Sequence, residues 1–235
     1  MSISGLFPID KWNFKSRSIL YNLPEEDQAL LLAHQTEQTY RRGEIVFREG
    51  GLPTGIFYIK EGKVKKYKAD YGGGQPIIYV ATAGELMGYH AVLSGERFPD
   101  SAATLEKSVI AFIPKEAFLG VLQQSTVLNG RLLQLLSHEF TVFVNNLTLF
   151  SQRPVRERFA LQLIVLREKY KPAVASEAPV EINLSREDLA NVVGTRKENI
   201  VRILADFKDE GILVTRGRKI IVQDVKQLIR IANFK

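Results

Sequence analysis

The sequence predicts an α+β protein: a β jelly roll, then a long helix, then a winged helix-turn-helix. Three observations point to it. From Tyr40 to Pro114, short apolar-alternating runs are broken by glycines. From Glu116 to Leu149 there is no proline, and apolar residues recur at spacings of three and four. From Ser185 to Val222, two helix-start signals flank Gly194 and a basic hairpin follows.

In the front part the runs are G-E-I-V-F-R-E-G-G, G-I-F-Y-I-K-E-G-K-V-K-K-Y, Q-P-I-I-Y-V-A and S-V-I-A-F-I-P. Short strands with glycine turns at this spacing belong to barrels and jelly rolls. Tyr71-Gly72-Gly73-Gly74 reads as a hairpin loop, because no helix and no Lys-Ser/Thr pair follow it as a phosphate loop requires.

In the middle, Leu133, Leu136, Phe140, Phe143, Leu147 and Phe150 form a heptad seam. The seam can pack on the chain's own β domain or join two chains as a parallel helix pair; the second is the preferred reading. Pro154 ends or kinks the helix and supplies a hinge. The expected division is 1–125 for the β roll, 126–153 for the dimerisation helix and hinge, and 154–235 for the C-terminal domain.

Ser185 with Asp188, and Thr195 with Glu198, are hydroxyl-plus-acid pairs of the capping-box kind. Two helices so close leave room only for a tight turn, which Gly194 provides, while the small Ala190 lets them approach. Ile200, Leu204 and Phe207 repeat at helical spacing and should face the core. Thr195, Glu198, Asn199 and Arg202 then face outward, with Arg196 and Lys197 at the helix start. A guanidinium can donate twice to guanine and a carboxylate can accept from cytosine, so Glu198 and Arg202 are candidate base readers. Glu198 could instead complete a cap with Thr195 or pair with Arg202 one turn on. The second helix is expected to enter the DNA major groove, with Ser185, Thr195, Arg196, Lys197, Glu198, Asn199 and Arg202 as the DNA-binding candidates of the two helices.

The following strands, Ile212 to Thr215 and Lys219 to Val222, enclose the turn Arg216-Gly217-Arg218. A basic hairpin behind a helix-turn-helix reads as a wing, with Arg216, Arg218 and Lys219 placed for phosphate contact. Charge supports this. Residues 1–150 hold 15 basic and 15 acidic side chains, so the chain's net charge of +6 lies wholly in residues 151–235. A neutral half joined to a basic half suggests a sensor joined to a polyanion-binding module.

Cysteine is absent, which excludes disulfides, zinc-thiolate sites and cysteine-held iron–sulfur clusters. No apolar run approaches a membrane span. The N-terminus lacks a secretory pattern, so a cytoplasmic location is expected. The three histidines, His34, His90 and His138, lie in separate segments, and neither H-E-x-x-H, G-x-S-x-G nor a Walker pattern occurs; an enzyme is not expected.

Together these features resemble the Crp/Fnr (catabolite activator protein-like) family of bacterial transcription regulators. The resemblance spans nearly the whole chain. It rests on R-G-E-I-V-F-R-E-G, I-K-E-G-K-V-K, G-E-L-M-G ahead of a loop ending D-S-A-A, V-R-E-R-F-A, and G-T-R-K-E-N-I-V-R-I-L. It implies a cyclic-nucleotide-binding-like β roll, a homodimer, a two-fold symmetric DNA site with recognition helices ~34–36 Å apart, and RNA polymerase as a further partner. It also implies base reading by Glu198 and Arg202. A family arginine just before the Glu is Lys197 here, which keeps charge and loses bidentate geometry.

The resemblance also implies an effector pocket, lined here by Glu85, Met87, Tyr89, His90, Asp100, Ser101 and Phe143. In members that respond to cyclic AMP, an Arg-Ser pair holds the cyclic phosphate; here the pair is Asp100-Ser101. A carboxylate near a phosphodiester is repulsive, and the Arg fork is lost as well. The positions that meet adenine in such members fall on Phe143 and Val144, which offer no hydrogen bond. No useful cyclic AMP affinity is therefore expected, leaving an unknown small ligand or none. His90 lies where a carbon-monoxide-sensing relative places a haem histidine, but Gly88 replaces that relative's cysteine, so no haem is expected. A ligand-binding sensor module without DNA-binding function is the alternative reading; the basic C-terminal part argues against it.

Overall fold

The structure is a computed structural model that describes residues 5–14, 19–69, 74–172 and 178–233. The Gly-rich loop at 71–74 lies outside these, apart from Gly74. The chain forms two compact units, Phe14–Thr141 and, together, Met1–Asn13 with Val142–Lys235.

The first unit opens with α1 (Glu25–Leu32), followed by β1 (Thr36–Tyr40), β2 (Ile45–Phe47), β3 (Gly55–Glu61), β4 (Lys63–Tyr67), β5 (Ile77–Thr82) and β6 (Leu86–Met87). Helix α2 (Tyr89–Ser94), β7 (Ser101–Thr104), β8 (Ser108–Pro114) and α3 (Lys115–Gln124) complete it, with the first half of α4 (Thr126–Gln152). The strands make two antiparallel four-stranded sheets, β1-β8-β3-β6 and β2-β7-β4-β5. That is the double-sheet arrangement of a jelly roll.

Between the sheets lie Phe47, Ile59, Val64, Met87, Phe98 and Ile110, with Phe47 stacked on Phe98 at 4.4 Å. A second cluster joins Ile56, Leu86 and Tyr89 to Phe118 and to Leu128, Leu132 and Leu135 of α4. Strands β1, β6 and β7 were not anticipated, and D-S-A-A is not a loop end: its Ser101, Ala102 and Ala103 open β7. Alanine and serine have weak strand preference, but every residue of β7 is buried, so packing overrides propensity.

The proline-free stretch is two helices. Ser125 interrupts it in an extended conformation (φ −94°, ψ 102°) and caps the next one, its Oγ accepting from Leu128 N at 3.0 Å.

Helix α4 carries two apolar stripes. The outer seam is exposed within the chain, with Phe140 at 71% and Leu147 at 72%; Leu136 is partly covered. The inner one runs Leu128, Leu132, Leu135, Glu139, Val142, Asn146, Leu149, again at heptad spacing. Its apolar members and Glu139 are buried.

The second unit holds the end of α4, α5 (Val155–Lys169), β9 (Glu181–Asn183), α6 (Arg186–Val193), α7 (Lys197–Asp209), β10 (Leu213–Arg216), β11 (Lys219–Val222) and α8 (Val225–Ala232). The sheet order is β10-β11-β9, antiparallel. Its core contains Phe159, Ile164, Leu189, Val193, Ile200, Leu204, Phe207, Ile220 and Leu228, with Phe159 stacked on Phe207 at 5.9 Å. The N-terminal segment packs here too: Phe7 and Trp12 are buried, and Asn145 Nδ2 donates to Lys11 O at 2.8 Å.

Candidate nucleic-acid interface and β-roll interior

Ser185 caps α6. Its Oγ accepts from Asp188 N at 2.9 Å and donates to Asp188 Oδ2 at 2.6 Å, so the hydroxyl is committed within the chain. Gly194 ends α6 at φ +67°, ψ 52°, a left-handed conformation that a side chain would strain. The ring of Phe150, the last seam residue, would lie 3.5 Å from any Cβ built there. Arg158 braces the same turn, donating to Phe150 O at 3.3 Å and Gly194 O at 3.4 Å; burial lowers its pKa.

The second capping box does not form. Arg196 is the N-cap residue of α7 (φ −80°, ψ 150°), no side chain caps it, and the Thr195 hydroxyl accepts from Asn199 Nδ2 at 3.0 Å. The helix starts one residue later than the box requires, which puts Thr195 outside reach of the orphan amides. Glu198 is therefore spent neither on a cap nor on Arg202, since no ion pair involves it among the described residues. Instead Arg202 Nη2 donates to Asn199 Oδ1 at 3.3 Å, giving a line Thr195–Asn199–Arg202 along one side of the helix.

Ile200, Ile203, Leu204 and Phe207 are buried, while Arg196, Lys197, Glu198 and Arg202 are exposed and Thr195 and Asn199 half-buried. At the far end, Arg156 of α5 holds α7 through a two-pronged pair with Glu210 (2.6 and 2.7 Å) and sits 4.6 Å over the Phe207 ring.

The wing is present, with its first strand one residue later than read from sequence. Arg216 opposes Lys219 across a two-residue loop, and Gly217 takes φ +59°, the first-position glycine that a II′ hairpin uses. Arg216, Arg218 and Lys219 are exposed, but Lys219 Nζ pairs with Glu181 at 2.5 Å. Sequence reading missed Arg186. Its guanidinium donates to Gly217 O at 3.2 Å and Arg218 O at 3.3 Å, fastening the wing tip to the start of α6. Its place directly after the Ser185 cap was the available signal.

Inside the β roll, Glu85, Met87, Tyr89, Asp100 and Ser101 are buried and His90 half-buried. Phe143 belongs to the other unit and is partly exposed. Asp100 is not a bare charge: Lys66 Nζ lies 2.8 Å from its Oδ2, both side chains being over 90% buried. Lys66 also sits 5.3 Å over the Tyr79 ring, its cross-strand partner. Ser101 Oγ is engaged by Glu49 N at 2.9 Å. Glu139 of α4 accepts from Tyr89 at 2.6 Å and meets His90 Nε2 at 2.7 Å.

Burial, then Tyr79 and Glu139, push the Tyr89 hydroxyl far above its ordinary range. Burial followed by Glu139, Glu85 and Asp100 does the same to Tyr79. Lys66, Tyr79 and Glu139 were not singled out from sequence. Lys66 stood two residues after Val64, at an inward position of β4, and Glu139 interrupted the inner stripe.

Two family models match the chain, one in each part. Residues 37–125 match the family model described as a cyclic nucleotide-binding domain, and residues 157–231 match that of a Crp-like helix-turn-helix domain. The chain is 25% identical over 198 residues to the fumarate and nitrate reduction regulatory protein of Escherichia coli strain K12, covering 84% of this chain and 79% of that one. It is 23% identical, with 84% and 77% covered, to the anaerobic regulatory protein of Aggregatibacter actinomycetemcomitans. Its fold is similar to that of FixK2 from Bradyrhizobium japonicum (TM-score 0.76, 20% identity, 86% of this chain and 98% of that one). It is similar also to the c-di-GMP-responsive regulator CLP of Xanthomonas campestris (TM-score 0.71, 20% identity, 86% and 100%). No helix among the described residues is long and apolar enough to cross a membrane.

Proposed function

The chain belongs to the Crp/Fnr family of DNA-binding transcription regulators, and from that premise we propose that it acts as a homodimer on a two-fold symmetric duplex site. In this reading residues 1–125 are the sensor, 126–153 the dimerisation helix and hinge, and 154–235 the DNA-binding domain, with the segment before Phe14 belonging to the compact unit that holds the last of these. Helix α7 enters the major groove, Glu198 and Arg202 read base edges, and Arg216 and Arg218 hold phosphates from the wing. RNA polymerase is the further partner that such a regulator implies.

One observation carries the reading: the cations of the α7 start and the wing tip are exposed, and no carboxylate among the described residues pairs with Arg196, Lys197, Arg202 or Arg216. Glu198 stands unpaired among them. A carboxylate facing a polyanion is unfavourable unless it accepts from a base. Dimerisation is supported by the exposed seam of α4, since an apolar stripe of this length left open to water marks an interaction surface.

The effector pocket is degenerate in this reading. Asp100 spends its charge on Lys66, and among the described residues no arginine is buried there and Glu85 and Glu139 leave the interior with more carboxylates than cations. A cyclic nucleotide phosphate is disfavoured there, and calorimetric titration with cyclic AMP should show no micromolar binding.

The test of the main reading is selection of bound duplexes from a random pool at two salt concentrations. A symmetric consensus, bound with strong salt dependence and in preference to random duplex, is the expected result. Equal binding of every duplex, or of none, would overturn it.

A further inference from the structure

Helix α7 presents a branched apolar group on an outward face that is polar apart from the small Ala205. Val201 is 50% exposed and buries little within its own chain, while the core side of the helix is filled by Ile200, Ile203, Leu204 and Phe207. At 100° per residue, Glu198, Arg202 and Ala205 share an arc of roughly 60° at the centre of the outward face. Asn199 and Asp206 flank that arc on one side, and Val201 flanks it on the other.

The two sides differ in chemistry. The first carries the hydrogen-bonded line from Thr195 through Asn199 to Arg202. The second carries Val201, whose side chain has neither donor nor acceptor, between the exposed Lys197 one turn before it and Lys208 two turns after it. A β-branched residue on an open helix face is worse for the helix than alanine or lysine. Its methyls gain only if something apolar covers them.

The major groove presents one such group at base edges, the 5-methyl of thymine. We propose that Val201 is a specificity-determining residue that packs against a thymine methyl in each half-site, at a base pair neighbouring those met by Glu198 and Arg202. The inference rests on the reading that α7 enters the major groove, and adds one base identity to it. Arg202, drawn toward Asn199, leaves the Val201 side of the groove open to that contact.

The experiment starts from the duplex that the full-length wild-type protein selects from a random pool. Each thymine of the half-site is then replaced singly by deoxyuridine, which preserves pairing and removes only the methyl, and wild type and V201A are titrated against the set. One thymine per half-site should respond, with wild-type affinity falling about fourfold for each half-site altered, the worth of one buried methyl. The same replacement should leave V201A unchanged.

Wild type selecting no sequence would overturn the major-groove reading and this inference with it. A selected site at which no deoxyuridine weakens wild type, or at which V201A loses as much as wild type, would overturn the Val201 assignment alone. Since Val201 is exposed, V201A should fold as wild type does, and its circular dichroism and melting temperature check this.

Discussion

Lys66 Nζ, on β4, lies 2.8 Å from Oδ2 of Asp100, the residue that leads into the adjacent strand β7, inside the β roll. A buried pair of this kind stabilises little as a pair, yet breaking it strands a charge in the interior. Asp100→Ala and Lys66→Met should therefore each lower stability by ~3–5 kcal/mol. The double variant Lys66→Met/Asp100→Leu should lose far less, and urea denaturation of the three proteins measures the difference. Near-additive losses would show that the two charges act separately.

The tyrosines nearby predict an alkaline limit. Tyr89 is held neutral in the folded protein by burial and by its neighbours Tyr79 and Glu139, whereas unfolded tyrosine ionises near its ordinary value of 10.0. A pKa raised on folding gives stability that is complete below the unfolded value and is lost as pH rises above it. Each such group contributes up to ~1.4 kcal/mol per pH unit there. Tyr89→Phe should be less stable at pH 8, because Glu139 loses a donor, but should decline less steeply above pH 10. Equal slopes for the two proteins would refute the assignment.

Arg186 should act on DNA binding through the wing rather than through phosphate. Arg186→Ala frees the carbonyls of Gly217 and Arg218. Affinity should fall about fivefold for all duplexes alike, roughly 1 kcal/mol of lost loop order. Because no phosphate contact is removed, the salt dependence should stay as in wild type. Arg218→Ala, by contrast, should lower the slope of log K against log salt by about one.

The outer seam of α4 predicts the oligomeric state. Phe140 and Leu147 are exposed in the chain, so Phe140→Glu/Leu147→Glu should leave the fold intact and convert a dimer to a monomer in sedimentation. Affinity for the selected duplex should drop by more than about tenfold, because two linked half-sites become independent. A wild-type monomer in sedimentation would count against the dimer reading.

Local sequence determined a large part of this protein. Alternating strands, the heptad seam, the Ser185 cap, the left-handed Gly194 and the basic hairpin each rest on interactions within a few residues, so spacing alone reveals them. The outward order of Glu198, Asn199 and Arg202 followed from helical periodicity. Where a contact crosses the fold, spacing carried no information. That Asp100 meets Lys66, that Glu139 receives Tyr89 and His90, and that Arg186 grips the wing depend on strands and helices distant in sequence being packed together. The all-buried β7 and the absent cap at Thr195 are the same lesson at the level of single elements. Propensity and motif set what a segment prefers, and the burial and hydrogen bonding available only in the packed chain decide which preference is realised.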